Sequence, residues 1–255
     1  MMKSSERPVA LVTGAARRVG AMIARTLHGA GYDVVLHCRN SRAERDALIA
    51  ELETARANST LGLQANLAEA DRLPELIEQT IARFGRLDAL VNNASSFYPT
   101  PLGDITARQC DEFFAANARA PVLLAQAAAP HLKSARGAIV NIVDIYAQRP
   151  LPQHAAYCMS KAALAMATLS LAQELGPEVR VNGISPGPVL WPEDEGSADM
   201  RAKIIADAIR LLKWGKSWHE VPELIERIAE RPPAGEIRKV LRANRAEIEE
   251  KAGQN

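Results

Sequence analysis

Short apolar runs alternate with helical segments up to about residue 190, and this order limits the folds open to the chain. The runs that predict strands lie at residues 9–12, 34–37, 61–65, 87–91, 138–143 and 179–184. Alternation of this kind predicts a parallel sheet, because each helix returns the chain to the same edge of the sheet. We therefore predict an α/β fold, with a doubly wound, mostly parallel sheet and helices on both faces.

The first strand runs into a glycine turn that is typical of a nucleotide-binding site. The turn is Thr13-Gly14-Ala15-Ala16-Arg17-Arg18-Val19-Gly20, and helical sequence follows it to residue 28. Gly14 permits a tight turn and Gly20 permits close packing, so the helix N-terminus can offer N–H groups to a phosphate. Arg17 and Arg18 add positive charge. One of the three usual glycines is absent, and a plain strand-to-helix turn is the alternative.

The second strand ends in basic and polar residues. NAD-binding folds tend to place an acidic residue here, where it holds the ribose 2′-hydroxyl. In this chain the strand ends in His37-Cys38-Arg39-Asn40-Ser41, and Asp33 lies at the opposite end. Cationic and hydroxyl groups suit a 2′-phosphate, so this feature favours NADP. A solvated turn with an ordinary arginine explains the same residues equally well.

The segment from Asp144 to Lys161 carries the best candidates for catalysis. Asp144 follows the apolar run at 138–143, at the strand end where open α/β sheets place their ligands. Tyr157 and Lys161 are four residues apart in a helical stretch, so they share one face. An ammonium beside a phenol is expected to lower the pKa of the phenol and make it a usable proton donor. A chance helical pair is the alternative.

Polar residues also follow the third and fourth strands. Asn66 and Leu67 come after the third, and Asn92-Asn93-Ala94-Ser95-Ser96-Phe97-Tyr98-Pro99 comes after the fourth. An aromatic side chain at a cleft mouth can stack on a flat ring, although a loop aromatic tucked into the core is as common. Asn117 lies midway along a helix predicted at 106–129, where it marks a solvated residue, a hydrogen bond or a helix distortion.

Composition narrows the class of function. The net charge of +1 gives no electrostatic case for a nucleic-acid partner. The polar N-terminus and the lack of a long apolar run predict neither a signal peptide nor a membrane span. The three cysteines, Cys38, Cys110 and Cys158, lack metal-ligand spacing, so we expect no metal site. These observations fit a soluble protein in a reducing, cytoplasmic setting.

Together these motifs resemble the short-chain dehydrogenase/reductase family. The matching pieces follow the family's order and spacing, and they are Thr13-Gly14 to Gly20, Asn92-Asn93-Ala94, Asn117, Tyr157 with Lys161, and Pro186-Gly187. Within the family the chain looks like a pteridine reductase. Arg18 stands in place of the middle glycine, residues 93–99 are similar to a pterin-binding segment, and Asp144 stands in place of a catalytic serine.

The resemblance implies catalytic roles. Tyr157 donates or relays a proton, and Lys161 binds the nicotinamide ribose and tunes Tyr157. Asp144 couples to Tyr157 and helps to deliver a proton to a ring nitrogen. Asn117 supports Lys161 through water, and Phe97 stacks on the pterin opposite the nicotinamide.

The resemblance also implies a Rossmann-type NADP-binding catalytic domain at residues 1–195. Arg18 and Ser95 are expected to contact the pyrophosphate and the substrate. The other expected cofactor contacts are Gly14, Arg17, Gly20, His37, Arg39, Ser41, Asn66, Leu67, Asn93, Ala94, Lys161, Pro186 and Gly187. Among these, His37, Arg39 and Ser41 are expected to surround the 2′-phosphate.

The chain departs from the family pattern after about residue 195. We find no counterpart of the family's last strand, and residues 200–255 are rich in Ala, Glu, Lys, Arg, Leu and Ile. This composition predicts an atypical all-helical C-terminal extension at 196–255, packed on the sheet domain or on a second subunit. We expect a homo-oligomer with altered assembly, in which a dimer through the helices at 106–129 and 155–175 is favoured over the family's common tetramer.

The predicted function is NADPH-dependent reduction of a dihydropterin to a tetrahydropterin. The first alternative is a short-chain reductase for another carbonyl or imine. The second alternative is a non-catalytic NADP-binding or scaffold protein, because the tail replaces a strand and much of the usual closure over the substrate.

Overall fold

A computed structural model describes residues 6–186 of the chain, and its strands form a single parallel sheet. The strands are β1 (Val9–Val12), β2 (Asp33–Cys38), β3 (Thr60–Gln64), β4 (Ala89–Asn92), β5 (Ala138–Ile142) and β6 (Arg180–Ile184). Their order across the sheet is β3-β2-β1-β4-β5-β6, and all neighbouring strands are parallel. The predicted doubly wound, Rossmann-type α/β fold is confirmed.

Helices make the connections between the strands. They are α1 (Arg18–Gly29), α2 (Arg42–Ala55), α3 (Leu73–Phe84), α4 (Ala107–Phe114), α5 (Ala120–Ala135) and α6 (Ala155–Leu175). Short 3-10 turns lie at Ala70–Arg72 and Ile145–Ala147. A π-helical segment, Ala115–Arg119, joins α4 to α5. The helix predicted at 106–129 is therefore two helices with a distortion at Asn117.

The sheet has a separate apolar core on each face. Successive strand residues point to opposite faces, so Val9 and Leu11 join one core while Ala10 and Val12 join the other. Side chains from α3, α5 and α6 cover the first face, including Leu76, Leu124 and Leu175. Side chains from α1 and α2 cover the second, including Ile23, Leu27, Leu48 and Leu52. The helices thus lie on both faces, as the sequence predicts.

The strand order reverses between β1 and β4, and this reversal places the site. Successive crossovers leave in opposite directions there, which opens a crevice at the carboxyl ends of the two strands. The Thr13 N–H donates to the Val91 carbonyl oxygen (3.0 Å) and holds the two strand ends together. The predicted site residues follow the carboxyl ends of these and neighbouring strands.

Asp33 lies at the amino end of β2, on the edge of the sheet opposite the crevice. The sequence predicts this position, from which the carboxylate cannot hold a ribose. Its carboxylate is buried and accepts a hydrogen bond from Arg7 Nε (2.7 Å), with Arg56 Nε at 3.7 Å. This carboxylate therefore holds the edge of the sheet together.

Several sequence-based predictions fall outside the described residues. These are the role of Gly187, the domain boundary at 195 and the helical tail at 196–255. Within residues 6–186, α6 is long and apolar enough to cross a membrane by length and composition alone, a test that core helices of α/β proteins also pass. In the same part of the chain, no group of three His, Cys, Asp or Glu side chains is placed to hold a metal ion.

Candidate active site

The glycine turn after β1 packs against the segment after β4 with no room for side chains. Gly14 has a φ of +63°, and a Cβ there would lie 2.9 Å from the Cα of Ala94. A Cβ on Gly20 would lie 2.2 Å from the carbonyl oxygen of Gly14. Both positions therefore require glycine, and the turn can bring its backbone close to a bound group.

Thr13 and Asn93 lock this turn to the end of β4. The Thr13 hydroxyl oxygen accepts hydrogen bonds from the N–H groups of Asn93 and Ala94, both at 3.0 Å. The Asn93 side-chain amide donates to the carbonyl oxygens of Thr13 (2.9 Å) and Gly14 (3.1 Å). The predicted residues Gly14, Asn93 and Ala94 are thus brought together by Thr13, the first residue of the predicted turn, to which the sequence assigned no contact.

The N-terminus of α1 is open to an anion. Its N-cap residue, Arg17, makes no side-chain cap, and no acidic residue lies in the first turn. Arg17 and Arg18 are both exposed beside it. Arg17 Nη1 lies 3.5 Å from Glu44 Oε1, and Arg18 has a φ of +51°. Uncapped N–H groups, the helix dipole and two cations fit the diphosphate of a dinucleotide.

His37 differs from its predicted role. Its side chain is 1% exposed, its Nδ1 accepts the Gly14 N–H (3.3 Å), and its Nε2 lies 3.1 Å from the Ala65 carbonyl oxygen. Burial lowers the pKa of His37 to about 4, and the charge of Arg45 acts in the same direction. Contrary to the prediction, His37 presents neither a charge nor an unused ring nitrogen to a 2′-phosphate.

The other residues at this edge differ in their exposure. Arg39 is exposed, and Ser41 precedes α2 without a side-chain cap, so both can meet a ligand. The side-chain oxygen of Asn66 accepts the Ala68 N–H at 3.2 Å in a local turn. Leu67 is 6% exposed and belongs to the core beneath the crevice. The predicted contacts of these residues with a cofactor stay predictions.

Asp144 and Tyr157 meet directly. Asp144 follows β5, and the first turns of α6 carry Tyr157 back to it, so the Tyr157 hydroxyl donates to Asp144 Oδ2 at 2.5 Å. Asp144 Oδ1 accepts the Tyr146 N–H (3.0 Å), which orients the carboxylate. Lys161 is 2% exposed, and its ammonium donates to the Ile142 carbonyl oxygen (2.9 Å). The sequence-predicted trio therefore shares one site.

The pKa values in this trio differ from the predicted effect of Lys161. Burial raises the pKa of the Tyr157 phenol above its usual value, and the hydrogen bond and charge of Asp144 raise it further. A hydrogen bond with Ser95 acts in the opposite direction. The prediction that this phenol has a lowered pKa is wrong, because burial and Asp144 prevail. Burial also lowers the pKa of Lys161 to about 8, against the charge of Asp144.

Asn117 ties the π-helical segment to both sides of the site. Its side-chain oxygen accepts the Ser96 N–H (2.8 Å), and its amide donates to the Ser96 carbonyl oxygen and the Ser160 hydroxyl, both at 3.0 Å. Ser160 in turn donates to the Tyr157 carbonyl oxygen (2.7 Å). Asn117 thus positions α6 and the loop after β4, while its predicted water-mediated link to Lys161 stays a prediction.

Aromatic rings border Tyr157 on the substrate side. Phe97 is 40% exposed and meets the Tyr157 ring edge-on, with 4.7 Å between centroids. His154 stacks on Phe97 with 4.9 Å between centroids and 14° between planes. The sequence did not indicate His154, because a polar residue just before a helix is usually no more than a cap. Ser95 is exposed beside these rings.

Pro186 closes the site on the side of β6. Its carbonyl oxygen accepts the N–H of Ile145 at 3.3 Å, which joins the chain after β6 to the turn that follows Asp144. This contact orients the backbone beside the Asp144 carboxylate.

A family model for the short chain dehydrogenases matches residues 8–200. The chain belongs to the short-chain dehydrogenase family. As a short-chain dehydrogenase it is an NAD(P)-dependent oxidoreductase. The non-catalytic alternative is left without support.

Three relatives of this short-chain dehydrogenase are all reductases. Pteridine reductase 1 of Leishmania tarentolae is 39% identical over 233 residues, which cover 76% of this chain and 81% of that protein. L-xylulose reductase of Bos taurus is 33% identical over 227 residues, covering 87% and 89%. The 3-oxoacyl-[acyl-carrier-protein] reductase FabG of Staphylococcus aureus is 30% identical over 209 residues, covering 81% and 85%. The predicted family and its pteridine reductase-like character are confirmed.

Proposed function

We propose that this short-chain dehydrogenase reduces a dihydropterin ring with NADPH. The observation that carries the proposal is the 2.5 Å hydrogen bond between Tyr157 and Asp144, at a position where a serine hydroxyl is the expected partner in a carbonyl reductase. An ionised carboxylate only accepts hydrogen bonds, so it cannot polarise a substrate carbonyl as a hydroxyl does. A protonated carboxyl beside a phenol can pass a proton toward a nitrogen.

The chemistry divides between the cofactor and the chain. The bound nicotinamide supplies a hydride to carbon. Reduction of a C=N bond also needs a proton on nitrogen, and Tyr157 holds one because burial and Asp144 raise the pKa of its phenol. When Tyr157 gives this proton to the nitrogen, Asp144 Oδ2, 2.5 Å away, is placed to take up a proton from solvent and pass it to the phenolate. The pair therefore acts as a proton relay.

Lys161 and Phe97 complete the proposed site. The buried Lys161 ammonium, fixed by the Ile142 carbonyl oxygen, is suited to bind the nicotinamide ribose and to stabilise negative charge that develops on Tyr157. Phe97 offers a half-exposed ring beside Tyr157, on which a flat pterin can stack.

A preference for NADPH over NADH follows from the charges after β2. Arg39 and Arg42 are exposed there, and no acidic residue occupies positions 38–43. Charge-assisted contacts to a phosphate contribute roughly 1.5–3 kcal/mol each, so NADPH is expected to bind at least about tenfold more tightly than NADH. Titration of the protein with each cofactor tests this, and equal affinities would contradict it.

Exchange of Asp144 tests the function. Asp144→Asn is expected to lower kcat with dihydrobiopterin by roughly 10²-fold or more, as for loss of general acid catalysis, while NADPH still binds. Glu78→Gln changes an exposed carboxylate on α3 and is the matched control. If Asp144→Asn kept near-full pterin turnover, Asp144 would be a structural residue and the pterin proposal would lose its main support.

Reduction of a simple carbonyl is the second candidate, favoured by the similarity to L-xylulose reductase. NADPH oxidation measured in parallel with dihydrobiopterin and with a dicarbonyl or sugar substrate separates the two. Asp144→Ser supplies the hydroxyl that a carbonyl reductase uses. It is expected to gain carbonyl turnover and lose pterin turnover if the parent is a pterin reductase.

A further inference from the structure

His37 is a buried, titratable side chain in the crevice that the proposed reaction does not use. It lies near the carboxyl end of β2 and is 1% exposed. Its backbone carbonyl oxygen accepts the Ala15 N–H at 2.8 Å, and its ring bonds Gly14 on one side and Ala65 on the other. One residue therefore joins three segments of the crevice.

The two ring partners dictate one tautomer of His37. The Gly14 N–H can only donate a hydrogen bond, so Nδ1 must present a lone pair. The Ala65 carbonyl oxygen can only accept, so Nε2 must carry the hydrogen. The ring is thus a neutral bridge of fixed direction, and a side chain that lacks either group leaves a buried backbone group without its partner.

The bridged segments are the ones that face a dinucleotide. Gly14 belongs to the turn that begins α1, and a shift of this turn moves the open N-terminus of that helix. Ala65 follows β3 and leads into Asn66 and Leu67 at the same edge. Gly14 has a positive φ and packs closely against Ala94. The hydrogen bond from its N–H to the ring of His37 holds the Gly14 backbone from the direction of β2.

We propose that His37 is a positioning residue for the nicotinamide cofactor, which holds the glycine turn against the end of β3 without touching the 2′-phosphate. The proposal requires only that the enzyme binds such a cofactor, and it is independent of the pterin substrate. It replaces the phosphate contact that the sequence predicts for His37.

His28 provides a matched control. It is also buried, at 4% exposure, and its Nε2 lies 2.7 Å from the Ser59 hydroxyl oxygen. It lies in the last turn of α1, at the far end of that helix from the glycine turn. Loss of His28 thus removes a buried hydrogen bond of similar kind without touching the crevice.

Two substitutions separate the contacts of His37. In His37→Asn the side-chain oxygen can take the place of Nδ1 and accept the Gly14 N–H, while the contact with Ala65 is lost. In His37→Gln the amide nitrogen can take the place of Nε2 and donate to Ala65, while the short-range acceptor for Gly14 is lost. Comparison of the two variants shows which of the two contacts determines the affinity for the cofactor.

The experiment measures NADPH and NADH affinity by fluorescence titration, thermal stability without cofactor, and kcat at saturating NADPH. His37→Gln is expected to weaken both cofactors by a similar factor of about ten, with kcat within about twofold of the parent. His37→Asn is expected to restore most of the affinity. His28→Asn is expected to lower the melting temperature and leave both dissociation constants unchanged.

Two outcomes would overturn the proposal. Loss of NADPH affinity alone, with NADH unaffected, would mean that His37 acts at the 2′-phosphate after all. A fall in melting temperature with unchanged dissociation constants in both His37 variants would give His37 the same purely structural role as His28.

Discussion

Arg18 holds a backbone conformation that glycine adopts at lower cost. Its φ of +51° is matched by Arg136, an exposed residue with a φ of +50° at the end of α5. Relief of the left-handed conformation contributes about 1–2 kcal/mol, and the more flexible unfolded chain offsets about 0.4–1 kcal/mol. Arg18→Gly and Arg136→Gly are each expected to raise the free energy of unfolding by roughly 0.5–1 kcal/mol, measured by urea titration.

Cofactor affinity distinguishes the two variants. Arg18→Gly removes a cation from the N-terminus of α1 and is expected to weaken NADPH binding several-fold. Arg136→Gly lies outside the crevice and is expected to leave it unchanged. Equal NADPH affinity in both would show that Arg18 does not act on the phosphates.

Lys161 predicts an alkaline limit to activity. Its pKa of about 8 means that the ammonium is lost as pH rises through that value, so kcat/KM is expected to fall there. Between pH 8 and the ordinary value of 10.5, the unfolded chain keeps this proton and the folded chain does not. The titration of Lys161 therefore favours the folded state as pH rises, and does not itself unfold the enzyme.

A pH–rate profile from the neutral to the alkaline range checks this limit. Lys161→Arg keeps its charge and is expected to shift the limit upward at a lower kcat, while Lys133→Arg on the exposed side of α5 has no effect. An unchanged kcat/KM well above pH 8 in the parent enzyme would contradict the assignment.

At the residue scale, the sequence predicts the contacts that follow from the spacing of residues along one helix or strand. Tyr157 and Lys161 share a helix face, and Asp144 ends a buried strand, so their meeting follows from the order of elements. The burial of His37 does not follow, because its neighbours come from β1 and β3, far apart in sequence. The raised pKa of Tyr157 was missed for the same reason, since it depends on burial and on the distance to Asp144.

The burial of the His37 ring predicts that the fold loses stability in acid. The pKa of His37 lies near 4 in the folded chain and near 6.5 when unfolded, so between these values the unfolded state holds the extra proton. Stability therefore falls as pH falls from 6.5 toward 4, by about 2 kcal/mol between pH 7 and pH 5. Urea unfolding at the two pH values measures this loss.

His37→Asn removes the titrating ring and is expected to flatten the acid limb of stability by about the same amount. The buried His28, whose pKa burial also lowers, accounts for part of the remaining slope. Identical acid sensitivity in the parent and in His37→Asn would assign the effect to other groups.

At the element scale, the sequence predicted the existence and type of the helices and strands better than their first and last residues. The six strands and α6 agree with the apolar runs, because alternation and periodicity reflect burial directly. The break between α4 and α5 differs, since a π-helical turn has no apolar period of its own. A hydrogen bond and a helix distortion were two of the three alternatives that the sequence left open for Asn117. Its partners Ser96 and Ser160 belong to other segments, so the sequence pattern could not predict them.

At the scale of the whole molecule, α6 presents an uncharged apolar stripe on the side away from Tyr157 and Lys161. The exposed positions along it include Ala155, Met159, Ala162 and Met166. Met159 is 56% exposed and Met166 is 63% exposed. Members of the family commonly form oligomers. We therefore expect a homodimer in which this stripe packs against a second copy.

Sedimentation velocity tests the dimer. Met166→Glu is expected to weaken association by at least about tenfold, because a charge would be buried against apolar surface. Met22→Glu changes another exposed methionine, on α1, and is expected to leave the dimer intact. A parent enzyme that sediments as a monomer, or a dimer that Met22→Glu disrupts and Met166→Glu does not, would contradict this arrangement.

The π-helical segment also restricts where the chain can gain or lose residues. A π-helical turn holds one residue more than an α-helical turn, so removal of one residue within Ala115–Arg119 leaves an ordinary α-helical turn and keeps the direction of α5. The buried face of α5, with Leu124 and Leu132, then stays on the sheet, but Asn117 loses the bulge that turns its side chain toward Ser96 and Ser160. A further residue inserted there would instead turn α5 by about 100°. A single deletion between α4 and α5 is therefore expected to keep the fold and to cost the contacts of Asn117, whereas the exposed loop at 101–104 is expected to accept changes of length in either direction.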